Sequence, residues 1–298
     1  MVPKDWELMR LGKVAETVTS GSRDWAQYYS ESGSKFIRMT NLRRDGIYLK
    51  LDDLKYVDVN SNSSDGKRTS LQHGDILISI TAELGKISWI PEQFGEAYIN
   101  QHTALVRLKK NIVSSLFVAY VLSSKHMHYV INSLNDAGAK AGLNLPTIRG
   151  IPVLLPPLPE QKKIARILST WDRAIEVTEK LLKISQQQKK SLMQQILTGK
   201  KRFPGFGGEW KNRHLSTIAE VIVSPVDKKT IEGEGEVAIE LCNYTDVYYN
   251  TRITKRIKFM KATATEPEIK RYSLQVGDVL ITKDSSVRQF NQDDCIRD

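Results

Sequence analysis

LPPLPEQKKIARILSTWDRAIEVTEKLLKISQQQKKSLMQQILTG, Leu155–Gly199, divides the chain and sets its architecture. The prolines Pro156, Pro157 and Pro159 can neither continue a helix nor sit inside a sheet. The stretch Ile151–Gln161 therefore reads as a stiff extended connector that leads into a helix start near Pro159 or Glu160. From Gln161 to Leu197 there is no Pro or Gly. The apolar residues Ile164, Leu168, Trp171, Ile175, Leu182, Leu192 and Ile196 fall near a three-four alternation, interrupted by polar Thr178, Ser185 and Lys189. At about 1.5 Å per residue such a helix is roughly 55 Å long, too long to hide inside a small domain. One narrow apolar stripe on a long helix needs a partner helix, which is how coiled coils are read; the plainer alternative is a solvated linker helix held by local charge pairs. Gly199 closes the helix as a left-handed cap, with Lys200, Lys201 and Arg202 at its negative end.

The segments on either side of this helix are related. WELMRLGKVAETV (Trp6–Val18) is echoed by WKNRHLSTIAEVI (Trp210–Ile222). FIRMTNLRRDGIYL (Phe36–Leu49) aligns with VAIELCNYTDVYYN (Val237–Asn250) on Asn41 and Asn243, and LQHGDILISIT (Leu71–Thr81) returns as LQVGDVLITKD (Leu274–Asp284). Three blocks in one order imply a duplicated domain, and the spacing of about 200 residues is too long for a solenoid repeat. The expected organisation is a first domain over 1–158, a long spacer helix over 159–200, and a second, incomplete copy over 201–298.

The first domain reads as α+β. FIRM, GIYL, DILISI, KISWI, AYIN and TALVRL are short β-branched or aromatic runs bounded by Gly, Asn and Asp, the pattern of strands and turns. Ser114–Asn132 instead spaces its apolar residues as an amphipathic helix, capped by Ser114 or Ser115.

The chain has 298 residues, 44 Lys and Arg against 34 Asp and Glu, and a formal charge of +10. Its 40% hydrophobic and 26% charged content is that of an ordinary globular protein. The basic excess favours an anionic partner such as nucleic acid. Two cysteines, Cys242 and Cys295, are too few for a disulfide framework. With no signal segment and no apolar run of about 18 residues, a cytoplasmic location without membrane contact is expected.

Catalytic patterns are missing. There is no Asn or Asp before a Pro-Pro-aromatic tetrapeptide, no Gly-rich phosphate loop, and the nearest acidic-Lys grouping, Asp75 with Glu83 and Lys86, has the wrong spacing for a metal nuclease. His126 and His128 lie on different helix faces, so a metal site is not expected there. The first domain does place residue types suited to duplex DNA at its turns. These are Arg38, Asn41, Arg43 and Arg44; Thr81 and Lys86; Asn100, Gln101 and His102; and Lys140 with Asn144. Arg can grip guanine, Asn or Gln adenine, and Lys, Ser or Thr phosphate. Taken singly, each could equally be a solvated charge or a turn residue.

The ordered set W-x-x-x-x-L-G/S-x-x-A-E, I-R-M-T-N-L-x-x-D-G, G-D-I-L-I-S, LPPLPEQKKIA before a long helix, and LTGKKRFPGF before the restart resembles the DNA-specificity (S) subunit of type I restriction-modification systems. The resemblance implies a non-catalytic subunit whose recognition domains each read half of a bipartite target, separated by two long helices packed antiparallel. It further implies docking of methyltransferase (M) subunits, which carry S-adenosylmethionine and methylate adenine, and of restriction (R) subunits that use ATP and Mg. No cofactor would bind this chain directly. The polar ending ITKDSSVRQFNQDDCIRD departs from the pattern and reads as a shortened S subunit, for which a homodimer through residues 160–197 would rebuild the two-helix arrangement. The competing expectations are a coiled-coil scaffold and the recognition part of a self-contained methyltransferase or nuclease.

Overall fold

In the computed structural model, which describes residues 3–23, 25–59, 61, 63–134, 142–231, 233 and 235–282, the chain forms two units, Met1–Thr198 and Gly199–Asp298. The first unit opens with strand β1 (Glu7–Arg10), the helical turn α1 (Leu11–Val14) and β2 (Ala15–Ser20). Next come β3 (Tyr29–Ser30), β4 (Ser34–Ile37), β5 (Lys55–Val57), helix α2 (Ser64–Thr69), β6 (Ile76–Ser79), β7 (Ile87–Trp89), β8 (Ala97–Ile99) and β9 (Thr103–Leu108). Helices α3 (Ser115–Ser123), α4 (Lys125–Ser133) and α5 (Leu145–Gly150), strand β10 (Pro152–Leu155) and the long helix α6 (Leu158–Leu197) complete it. The architecture is the α+β arrangement expected from the sequence, with the long helix belonging to the first unit.

Two four-stranded sheets, ordered β2-β9-β6-β7 and β3-β5-β4-β8, lie beside a two-stranded β1-β10 ribbon. Side chains alternate across a strand. Ile76 and Ile78 of β6 and Ala104 and Val106 of β9 thus enter one core, with Phe117, Leu122, Ile131 and Ile148 from the helices. Leu77 and Leu105, on the opposite face of the same strands, pack against Ile37, Ala97 and Ile99 of the second sheet. Both faces being covered, these strands read as continuous apolar runs without polar alternation.

The two sheets meet closely at Gly21. Ser22 bridges to Asn100, and a Cβ built on Gly21 would lie 2.1 Å from the Asn100 carbonyl oxygen. No side chain fits there unless the backbone moves. Gly21→Ala is expected to cost about 1–3 kcal/mol, the usual penalty of overpacking. Gly150→Ala, where a Cβ meets nothing within 4 Å, should be neutral. Urea unfolding of the two variants tests this difference.

Three local expectations change. The segment expected as one helix over 114–132 is two helices, because the Ser124 hydroxyl accepts the Met127 N–H at 3.3 Å and begins α4 after α3 has ended. GIYL is not a strand; Ile47 is buried and its carbonyl accepts the Trp89 N–H, but no ladder extends from it. Part of the connector pairs after all, since β10 lies antiparallel to β1 before the Pro156–Pro157 pair starts α6.

The N-terminal end of α6 is fastened to the domain. Gln161 is buried, donates to the Pro156 carbonyl at 2.8 Å and accepts from Ser114 N at 2.9 Å. Ile164 packs on the core, so the open part of the stripe starts at Leu168. The Tyr120 hydroxyl donates to Asp172 at 2.6 Å, and burial followed by this bond holds the phenol far above its usual range. On the open part of the stripe Trp171 is 67% and Leu182 58% exposed.

The second unit contains β11 (Glu236–Leu241), α7 (Tyr244–Tyr249), β12 (Met260–Thr265) and α8 (Glu266–Tyr272), with β11 and β12 antiparallel. Its turns repeat those of the first unit. Ser70 N donates to the Gly66 carbonyl, and Ser273 N to that of Ile269. Gln72 N donates to Asp75 Oδ2 at 2.7 Å, and Gln275 N to Asp278 Oδ2 at 2.8 Å. Gly74 and Gly277 both adopt positive φ, 90° and 106°. The aligned asparagines do differ: Asn243 caps α7, whereas Asn41 is the third residue of a 3-10 turn at Met39–Asn41. Ile76 is fully buried, but its counterpart Val279 is 84% exposed. No described strand of the second unit takes the place that β9 holds in the first.

Candidate nucleic-acid interface

Strand direction gathers the polar residues. Ser79 of β6 stands opposite Thr103 of β9, Ile78 opposite Ile87 of β7, and Ser20 of β2 opposite Ala104. The ends of β2 and β6 and the starts of β7 and β9 therefore share one edge of the unit, and the segments leaving them, 21–23, 80–86 and 100–102, lie together. Leu143 N donates to the Ile80 carbonyl and Thr81 bridges to Gly142, which brings the segment before α5 to the same edge.

Within this edge lies a concavity of about 540 Å³ bordered by Ser20, Gly21, Ser22, Arg23, Arg68, Thr81, Gln101 and His102. Three of these, Thr81, Gln101 and His102, belong to the sequence-derived candidates. Arg23 and Arg68 do not. Arg68 is held in place: its Nη2 donates to Asp65 Oδ1 at 3.1 Å and to the Ser22 hydroxyl, which itself donates to the same carboxylate. The Ser22 bond keeps the Asp65 carboxyl below the usual carboxylate range. Asp65 and Arg68 are an ordinary i,i+3 pair on α2, but the contact with Ser22, 43 residues away, has no signal in the local sequence.

A second group sits on the loop after β6 and the turn after β4. Arg44 contacts His128 Nε2 at 2.6 Å and lies 3.9 Å from Glu83. Lys86 pairs with Glu83, and this bond holds the Glu83 carboxyl below its ordinary range. Arg44 and Lys86 thus have their charge partly balanced. Arg43 is exposed, its backbone bridges to Ile87, and its guanidinium forms no ion pair among the described residues.

The other candidates have internal work. Asn41 is only 2% exposed; its Oδ1 accepts the Arg38 N–H at 2.9 Å and its amide donates to the Lys50 carbonyl at 2.9 Å. It shapes the turn that presents Arg43 and Arg44, and is too deep to touch DNA. Arg38 is bound to Asp53, through the carbonyl at 2.9 Å and the carboxylate at 2.8 Å, and this pairing lowers the Asp53 carboxyl. Asn100 Oδ1 accepts from His102 N and the Thr103 hydroxyl, setting the turn into β9. Asn144 caps α5 by accepting the Thr147 N–H at 2.8 Å. Lys140 lies outside the described residues.

Among the described residues no group of three or more His, Cys, Asp or Glu is placed to hold a metal ion, and no helix is long and apolar enough to cross a membrane.

Residues 3–186 match the family model for the type I restriction modification DNA specificity domain. Two relatives come from Methanocaldococcus jannaschii. One, provisionally named the type I restriction enzyme MjaX specificity subunit, is 28% identical over 208 residues, covering 67% of this chain and 44% of the relative. The type I restriction enzyme MjaVIII specificity subunit is 26% identical over 205 residues, covering 67% and 47%. The chain thus spans less than half the length of either. Among solved structures, the type I restriction-modification S subunit from M. genitalium aligns over 65% of this chain and 46% of its own, at 12% identity and a TM-score of 0.47.

Proposed function

The chain belongs to the type I restriction modification DNA specificity family, and from that premise we propose that its first unit reads one half of a bipartite target in double-stranded DNA, without catalysing a reaction itself. The observation that carries this reading is the convergence at one edge of amide, imidazole and guanidinium groups, several of them held by internal bonds, on a basic chain. Held donors and acceptors suit base edges, and exposed cations beside them suit phosphates.

Chemistry in this reading lies with partners. An M subunit with S-adenosylmethionine would methylate adenine, and R subunits would use ATP and Mg for translocation and cleavage. The long helix is the joint. No other described helix exceeds nine residues, so no described element of this chain can match α6 along its length. Leu168, Trp171, Ile175 and Leu182 form one exposed seam, which a second copy of α6 covers in a homodimer. Ile167, Val177, Leu181 and Ile184 are exposed on a second face, roughly 110° around at 100° per residue, and suit the M subunit.

Co-expression with the cognate M subunit, followed by mapping of methylated adenines, tests the reading. A split palindromic motif is expected from a two-fold assembly. Methylation or cleavage by the purified chain alone would overturn it. At the residue level, Arg43→Ala should weaken binding uniformly across duplex sequences and reduce the salt slope by about one, the mark of a phosphate contact. Salt titrations on matched and scrambled duplexes measure both.

A further inference from the structure

We propose that Gln101 reads an adenine edge and that His102 and Thr81 are its positioning residues, an assignment that rests on the DNA-reading function above. With the Gln101 amide nitrogen turned towards the ring, the hydrogen-bond roles of the three side chains follow in order. Gln101 Nε2 lies 3.1 Å from His102 Nε2. An amide nitrogen only donates, so this ring nitrogen is the acceptor. The imidazole proton must then sit on Nδ1, where it donates to the Thr81 hydroxyl oxygen at 2.8 Å. The Thr81 hydroxyl, able to donate or accept, takes up this tautomer and holds the ring in place.

The backbone beneath this relay is also fixed. His102 N donates to Asn100 Oδ1 at 3.3 Å, and its carbonyl accepts the Ile80 N–H at 3.0 Å. Ring and main chain are therefore restrained on both sides, and ordering them on binding costs little further entropy.

Gln101 spends one amide hydrogen on His102. Its second hydrogen and its Oε1 take no partner among the described residues, and the side chain borders the concavity. One free donor beside one free acceptor complements adenine, whose N7 accepts and whose N6 donates in the major groove. On the same border, Arg68 uses Nη2 for Asp65 and Ser22, while Nε and Nη1 have no partner among the described residues. A tethered guanidinium next to a tethered amide gives a phosphate contact next to a base contact, the pairing that fixes register while it reads sequence.

The test is selection from a randomised duplex library, using the full chain assembled with its M subunit. Gln101→Ala should abolish the preference for adenine at one position per half-site, by roughly 5- to 150-fold, with other positions unchanged. Gln101→Glu, which only accepts, should move that position toward cytosine. Thr81→Val keeps the shape but removes the hydroxyl, and should relax the same position while the other positions keep their preference. Thermal unfolding of each variant identifies any that fails to fold, and the folded ones read the same base pair. Uniform loss across all positions, or an unchanged preference in folded variants, overturns the assignment alone. A wild-type assembly that selects no sequence overturns the DNA-reading function and the assignment with it.

Discussion

Trp171→Asp should convert a dimer into a monomer at micromolar concentration, raising the dissociation constant at least about 30-fold. The seam it interrupts runs Leu168, Trp171, Ile175, Leu182 on α6, and all four are exposed in the isolated chain. Buried aromatic anchors at the centre of an interface are worth about 2 kcal/mol or more when removed, and RT ln 30 is about 2 kcal/mol. A carboxylate there adds the cost of burying an unpaired charge. Ile175→Asp should behave alike. Lys180→Asp, a change of polar residue for polar residue away from the seam, should not. Sedimentation velocity measures the three variants beside the wild type. A wild-type chain that is already monomeric, with its sedimentation unchanged in either seam variant, would rule out self-association through this helix.

The same helix shows what a sequence can and cannot announce. Its length and start were readable because helical spacing and the Pro156–Pro157 break are local signals. That Ile164 would face the domain was not, because Gln161 anchors the first turns through Ser114 and Pro156, contacts defined by the fold. Strands β4, β6, β7, β8 and β9 were legible as apolar runs bounded by turn residues, whereas β1, β2, β3 and β5 carry no such run, β10 sits in the proline-rich connector and GIYL has the pattern without the strand. The division of the strands between two sheets was not legible, since Leu77 and Ile78 look alike in sequence yet enter different cores. The doubled LQxGD turn was legible as a repeat, and the shared Gln-to-Asp hydrogen bond gives it a physical basis.

The candidate interface was legible by residue type and obscure in arrangement. Thr81 lies 21 residues before His102 and its neighbour Gln101, and the antiparallel pairing of β6 with β9 brings it to them. Asn41 has the chemistry of a reader but the position of a scaffold: a short polar side chain after a strand serves turns as readily as ligands, and burial decided between the two. Arg68 had the opposite fate. On α2 it resembles a solvated helix charge paired with Asp65, and the approach of Ser22 at the Gly21 crossing adds the second bond that fixes its orientation. The residues most easily missed were therefore those whose role depends on a second segment arriving.

The LQxGD repeat also supplies an internal control for the second large effect, which is on stability. Asp75→Ala should destabilise the first unit by about 3 kcal/mol, whereas Asp278→Ala should cost no more than about 1 kcal/mol. Both carboxylates accept the N–H three residues earlier, from Gln72 and Gln275. Only Asp75, 1% exposed, also takes a two-pronged bond from Arg107, Nε at 2.8 Å and Nη2 at 2.7 Å. Its bond to Asp75 raises the Arg107 guanidinium further above its already high range, against the opposing effect of burial. Removing the carboxylate leaves a charge on the inner face of β9 beside Leu105, with the Ser70 carbonyl as its remaining hydrogen-bond partner and the Glu16 charge acting on it. That is the costly way to break an ion pair, and the partial exposure of Arg107 puts the loss near the low end of the 3–5 kcal/mol range. At about 2–4 °C per kcal/mol for a unit of this size, the first unit should melt roughly 6–12 °C lower. Asp75→Asn keeps the shape and one acceptor oxygen, and should fall between wild type and Asp75→Ala. Equal melting of the Asp75→Ala and Asp278→Ala chains would show that the turn, and not the Arg107 pair, carries the stabilisation.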